Sequence, residues 1–129
     1  SAASGLALTY SSMGRHSDAR PLYENIYAWK CANQYGTDDM KMDDFMYIAP
    51  NLFRLAECCY WQGDGKAALQ LYRLFLSSYQ QAFPAEEDNL EDIPFPTDAE
   101  RLKRDPFDYT LPDMLKLSSI RALQLQYTL

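Results

Sequence analysis

The stretch LALTYSSMGRHSDARPLY, residues 6–23, returns as LAECCYWQGDGKAALQLY at residues 55–72. A shift of 49 positions pairs Leu6 with Leu55, Ala7 with Ala56, Gly14 with Gly63, Ala19 with Ala68, Leu22 with Leu71 and Tyr23 with Tyr72, within the longer register of Leu6–Gln34 over Leu55–Phe83. Self-similarity at a fixed period marks a supersecondary unit that buries its apolar face on its own copy, so it outranks any local feature.

Each step in the spacing has a mechanical reading. Ala7 and Ala56 are small where two antiparallel helices approach closely, and Gly14 and Gly63 accept the positive φ that ends the first helix of each pair. Ala19 and Ala68 hold the start of the second helix against the first. Tyr23 and Tyr72, four residues on, lie on the same face of that second helix and fill the space between pairs.

This pattern of small residue, glycine, alanine and aromatic resembles the tetratricopeptide repeat family, a helix-turn-helix array with those positions. Two units carry it, over about half the chain. Tyr10 holds the aromatic position of the first helix where its counterpart is Cys59, and Cys31 and Gln80 stand where the family has a terminal proline. The period of 49 exceeds the usual repeat of about 34 and resembles the long-helix variants of kinesin light chains. Pro21 is expected in the first turn of its helix, where a missing N–H costs little.

Further along, Phe45, Ile48, Leu52, Leu55, Ala56 and Cys59 recur at helical spacing with Pro50 among them, which predicts one kinked helix or a second helix beginning at Pro50. Lys66–Phe83, with Ala68, Leu71, Tyr72, Phe75 and Tyr79 on one face, predicts a helix. From Pro84 to Pro112 the chain has five prolines, no glycine and an acidic cluster of Glu86, Glu87, Asp88, Glu91 and Asp92. It reads as an acidic, proline-rich loop or insertion over 84–110, with a short helix at Thr97–Lys103. Thr110-Leu111-Pro112-Asp113 signals a last helix that packs on the second repeat. The expected fold is all-α: a right-handed superhelical stack of two hairpin repeats (1–83) and a C-terminal packing helix (111–129).

Composition narrows the function. A net charge of −6 disfavours nucleic acid and anionic membrane as partners and suits a neutral or basic protein. No apolar run reaches the roughly 20 residues that span a bilayer, and Ser1–Gly5 lack the basic start of a secretory signal. Three cysteines, two of them adjacent at Cys58 and Cys59, suit a reducing cytoplasm rather than a disulfide framework. The absent initial methionine, and a helical pattern beginning within five residues, suggest a piece of a longer protein.

No catalytic, metal or cofactor constellation is expected. His16, the single histidine, reads as a solvated residue of the first inter-helix turn, without a triad signature around it. Asp38-Asp39 and Asp43-Asp44 lack the spacing of a calcium loop and read as helix-end charges, and Gly63-Asp64-Gly65-Lys66 lacks the spacing of a phosphate loop. The family resemblance implies a concave surface lined by first helices. Carried over by position, it gives Leu8, Ser11 and Ser12 on the first unit and Phe53, Glu57, Tyr60 and Trp61 on the second as partner-binding residues. Ser4, Leu8, Phe53 and Glu57 leave no lysine–asparagine clamp of the kind by which some relatives hold a chaperone's terminal carboxylate. A second candidate is the acidic segment Glu86–Asp92 with Ile93-Pro94-Phe95-Pro96, a linear motif for a basic partner or an occupant of the groove itself. The expected activity is therefore that of a protein- or peptide-binding scaffold, alone, as a homodimer or in a larger assembly. The alternative is an internal structural layer, or an accessory domain beside a catalytic one.

Overall fold

A computed structural model of the chain describes residues 2–34, 41–84 and 109–129. Every regular element among them is helical: α1 (Ala2–Ser12), α2 (His16–Gln34), α3 (Met42–Gln62), α4 (Gly65–Ala82) and α5 (Leu111–Thr128). Consecutive helices pack on one another, α1 on α2, α2 on α3, α3 on α4 and α4 on α5.

The two short turns are built alike. Gly14 and Gly63 take φ of +76° and +88°, a left-handed conformation that costs an L-residue with a Cβ about 1–2 kcal/mol. In the first turn Arg15 N–H donates to Tyr10 C=O at 2.8 Å and Gly14 N–H to Ser11 C=O at 3.0 Å. In the second Asp64 N–H donates to Cys59 C=O at 2.9 Å and Gly63 N–H to Tyr60 C=O at 3.1 Å. This paired closure of a helix C-terminus satisfies carbonyls that would otherwise lack donors. Both hydrogen bonds coincide under the 49-residue shift, and so does burial: Ala7 and Ala56, Ala19 and Ala68, and Tyr23 and Tyr72 are each 0–1% exposed.

The core is densest between α3 and α4. Phe45 lies 5.6 Å from Phe75, 5.8 Å from Tyr79 and 5.9 Å from Phe83 between ring centroids, and Phe53 lies 5.9 Å from Phe75 and 6.1 Å from Tyr109. Aromatic pairs in such tilted and edge-on arrangements add to their burial through ring quadrupoles. Asp64 caps α4 by accepting from Ala67 N–H at 3.2 Å. α5 starts as its sequence indicates: Thr110 and Asp113 form a reciprocal capping box, with Pro112 in the first turn where no N–H is needed.

Three local readings are refined. α3 runs unbroken through Pro50, which removes the N–H that would otherwise bond to the carbonyl of Met46, a residue 51% exposed. Pro21 lies inside α2 rather than in its first turn. The tight turn at Gly14 lets Arg15 C=O accept from Asp18 and Ala19 N–H, so the helix begins at His16, five residues before the proline. His16 is half-buried at that start, with Nδ1 shielded, rather than solvated. The Asp43-Asp44 pair does sit in the first turn of α3, and the Asp44 carboxylate accepts from Lys41 N–H. The Asp38-Asp39 pair, the Thr97–Lys103 helix and the acidic motif from Glu86 to Pro96 lie outside the described residues.

Candidate functional site

Charged residues in an apolar stretch are rare unless paired, and α3 places Glu57 between Ala56 and Cys58 in such a stretch. Its carboxylate meets Arg121 of α5, with the Arg121 side chain 13% and the Glu57 side chain 8% exposed. One guanidinium nitrogen of Arg121 donates to Glu57 Oε1 and, at 3.1 Å, to the Tyr72 hydroxyl, which in turn donates to Glu57 Oε1 at 2.8 Å. The second carboxylate oxygen accepts from Trp61 Nε1 at 3.2 Å. A buried charge is tolerable only when so paired and hydrogen-bonded.

The cluster is electrostatically closed. Burial works against the Arg121 charge, but Glu57 and the Tyr72 oxygen outweigh it and hold the guanidinium pKa above its ordinary value. Burial first, and then the Glu57 charge, push the Tyr72 phenol far above the usual range. With three hydrogen bonds on its two oxygens and its charge matched, Glu57 is arranged to hold neighbours in place.

Above the ion pair sit two aromatic rings. The Arg121 guanidinium carbon is 4.3 Å from the Tyr60 ring centroid and 5.4 Å from that of Trp61. The two rings meet edge to face at 5.1 Å and 88°. Cation–π contact of this kind is worth about 0.5–2 kcal/mol. Tyr60 is half-buried, whereas Trp61 stays 59% exposed although its indole is fixed from below by Glu57 and from the side by Arg121.

The seven residues expected to bind a partner therefore part company. Tyr60 and Trp61 are brought together at the surface. Glu57 lies under them at 6% exposure, so its assignment to an open face is corrected: its carboxylate is turned inward to Tyr72, Arg121 and Trp61. Phe53 is 0% exposed and packs on Tyr72, Phe75 and Tyr109; its assignment to an open groove is corrected, because α4 and the approach to α5 close over it. On the first unit Ser12 is exposed and Leu8 half-buried, while Ser11 is tied into the seam between α1 and α3. Its hydroxyl contacts Tyr23 Oη at 3.5 Å and Cys58 Sγ at 3.7 Å.

Sequence reading missed Arg121. The available signal was a carboxylate in the apolar run of α3 and an arginine in the apolar run of α5, two charges that each need a buried partner. Among the described residues no group of three or more His, Cys, Asp or Glu side chains is placed to hold a metal ion, and no helix is long and apolar enough to cross a membrane. Cys31, Cys58 and Cys59 are free thiols. No protein-family model matches the chain, and neither the characterised proteins nor the solved structures provide a match to it.

Proposed function

We propose that this chain is a helical-repeat scaffold of the tetratricopeptide kind, working by binding rather than catalysis, and that it holds a partner protein or peptide on the face carrying Tyr60, Trp61 and Arg121. The observation that carries the reading is the Trp61 ring, exposed yet hydrogen-bonded to Glu57 and set beside the Arg121 guanidinium. Tryptophan, tyrosine and arginine are the residues that most often dominate binding energy, and a side chain fixed before the partner arrives loses little conformational freedom on contact. The repeat assignment is supported by the two like-built glycine turns and by the three pairs of buried residues 49 positions apart. The charge of −6 favours a neutral or basic partner, and the three free thiols favour a reducing cytoplasm.

The test is capture of partners by the intact chain and by a Trp61→Ala chain, once circular dichroism shows that both are folded. A protein retained by the first and lost by the second, and whose affinity for the purified chain falls at least tenfold on the substitution, is the expected result. Equal retention by both removes this face as the binding site.

A second reading, an internal helical layer or accessory domain of a larger protein, draws on α5, where Leu123 and Tyr127 are 56% and 81% exposed. Replacing both by serine tests it: the layer reading expects better solubility of the isolated chain and no partner retained on the Trp61 face, whereas the scaffold reading expects partner capture that the replacement leaves unchanged.

A further inference from the structure

The bonds already made at the Trp61 face leave a defined remainder. Arg121 uses Nη1 alone on its protein partners, donating to Glu57 Oε1 and to the Tyr72 hydroxyl. A guanidinium carries five N–H donors, so Nε–H and the two N–H groups of Nη2 have no acceptor among the described residues. Neither nitrogen is among the enclosed side-chain atoms that lack a partner, so this edge reaches solvent, beside the exposed Trp61 ring. Both oxygens of Glu57 are occupied, and Trp61 has given its one N–H to Glu57. What Trp61 and Arg121 offer outward is therefore the face of an indole and the donating edge of a guanidinium.

That remainder discriminates between occupants. A cationic side chain is disfavoured, because Arg121 already lies over the Tyr60 ring and beside Trp61. A carboxylate matches the geometry of the guanidinium edge. It also brings a second negative charge next to Glu57, whose own charge already matches Arg121, in a chain of net charge −6. An ordinary extended peptide brings N–H groups that lose water and find no acceptor in Glu57 or Trp61. Proline has no N–H, and in the polyproline conformation its carbonyls face outward while its apolar ring is free to lie on an indole.

We propose that the Trp61 face takes a proline-rich extended segment of a partner protein, with a proline ring against the Trp61 indole and a main-chain carbonyl accepting from Nε–H or Nη2–H of Arg121. This rests on the reading of that face as the binding site and names the chemistry of what it binds. Hydrogen-bond complementarity selects the segment: the surface supplies donors and a ring, and the segment supplies carbonyls and rings without N–H groups. The polyproline conformation is held before contact, so little freedom is lost on docking against aromatic side chains. Such a segment is uncharged, which suits a site whose own ion pair is already balanced.

The probe is capped decaproline, with a capped glycine–serine peptide of equal length as control. It is titrated into the isotope-labelled full chain, where the Arg121 Nε–H cross-peak reads the hydrogen bond, and into a Trp29→Phe chain, where emission reports on Trp61 alone. The expected result is a saturable shift of both signals at decaproline concentrations below about 1 mM, with the glycine–serine peptide weaker by about tenfold. Arg121→Lys, which keeps a charge opposite Glu57 and loses the guanidinium edge, is expected to bind decaproline severalfold more weakly; if that chain does not fold, the cross-peak of the unaltered chain decides. No response to decaproline up to about 1 mM, or an equal response to both peptides, overturns the proposal. So does an Arg121 cross-peak that acetate shifts at lower concentration than decaproline, which assigns the edge to a carboxylate. The two readings fail separately: a partner captured through Trp61 that decaproline does not displace ends the proline assignment alone, whereas equal capture by the intact and Trp61→Ala chains ends both.

Discussion

Arg121 of α5 and Glu57 of α3, separated by 64 positions in sequence, form a buried ion pair whose guanidinium also supports the rings of Tyr60 and Trp61. The pair couples the last helix to the candidate binding face. Removing one partner leaves the other charge buried alone, so Arg121→Ala is expected to cost about 3–5 kcal/mol in urea unfolding. In a double-mutant cycle with Glu57→Ala the two substitutions are expected to be non-additive by about 1–3 kcal/mol. A loss below about 1 kcal/mol for Arg121→Ala, within the range of exposed pairs, would show that the pair is not buried in solution.

The cysteines are expected to react in order of exposure. Burial raises the Cys58 thiol above its ordinary pKa and pushes Cys59 up to about 11, whereas Cys31 is only half-buried. Since the thiolate is the nucleophile, an aromatic disulfide reagent at pH 8 should label Cys31 first, with Cys58 and Cys59 reacting only on unfolding. Three equivalents consumed at one rate in the folded chain would contradict this packing.

Gly14 and Gly63 close like-built turns at φ of +76° and +88°. Nothing lies within 4 Å of a Cβ added at either, so the cost of alanine there is conformational and not steric. Gly14→Ala and Gly63→Ala should each destabilise by about 1 kcal/mol, and any departure from additivity in the double variant reads the coupling carried by the Arg20 and Gln62 hydrogen bonds between the two turns. Marked inequality between the two would mean that the turns do not bear equally on stability.

Arg20 joins the turn regions, donating to Asp64 at 2.8 Å and to the Gln62 side chain at 3.1 Å, while Gln62 donates to Ser17 at 3.3 Å. The Arg20 hydrogen bond, and then the Ala67 N–H, hold the Asp64 carboxyl below its ordinary 3.8. A folded-state pKa below the unfolded one contributes stability that is present above the unfolded value and is lost as pH falls through the folded value. Asp64→Asn, which keeps a capping oxygen, should therefore lower Tm at pH 7. The difference should shrink as pH falls below 3.8 and vanish once Asp64 is protonated in the folded chain. A difference that persists unchanged at lower pH would assign the effect to something other than the carboxylate charge.

Much of the local structure was legible in the residues because it depends on neighbours a few positions away. The alanines at 7, 19, 56 and 68 and the tyrosines at 23 and 72 are buried as their spacing indicates, the two glycines end their helices, and Thr110 and Asp113 start α5. Pro21 was misplaced because the turn at Gly14 lets α2 begin immediately after Arg15, an event of backbone hydrogen bonding that no side-chain period reports.

The candidate site was legible only in part. Tyr60 and Trp61 were named by carrying the family resemblance over by position, and the all-α composition followed from helical spacing. Which face stays open is a matter of what arrives from elsewhere in the chain: α4 and Tyr109 close over Phe53, and Arg121 reaches Glu57. Helical periodicity fixes the direction in which a side chain points along its own helix, within a few residues. Burial, charge pairing and the openness of a groove are set by contacts between distant segments, and those exist only once the helices have packed.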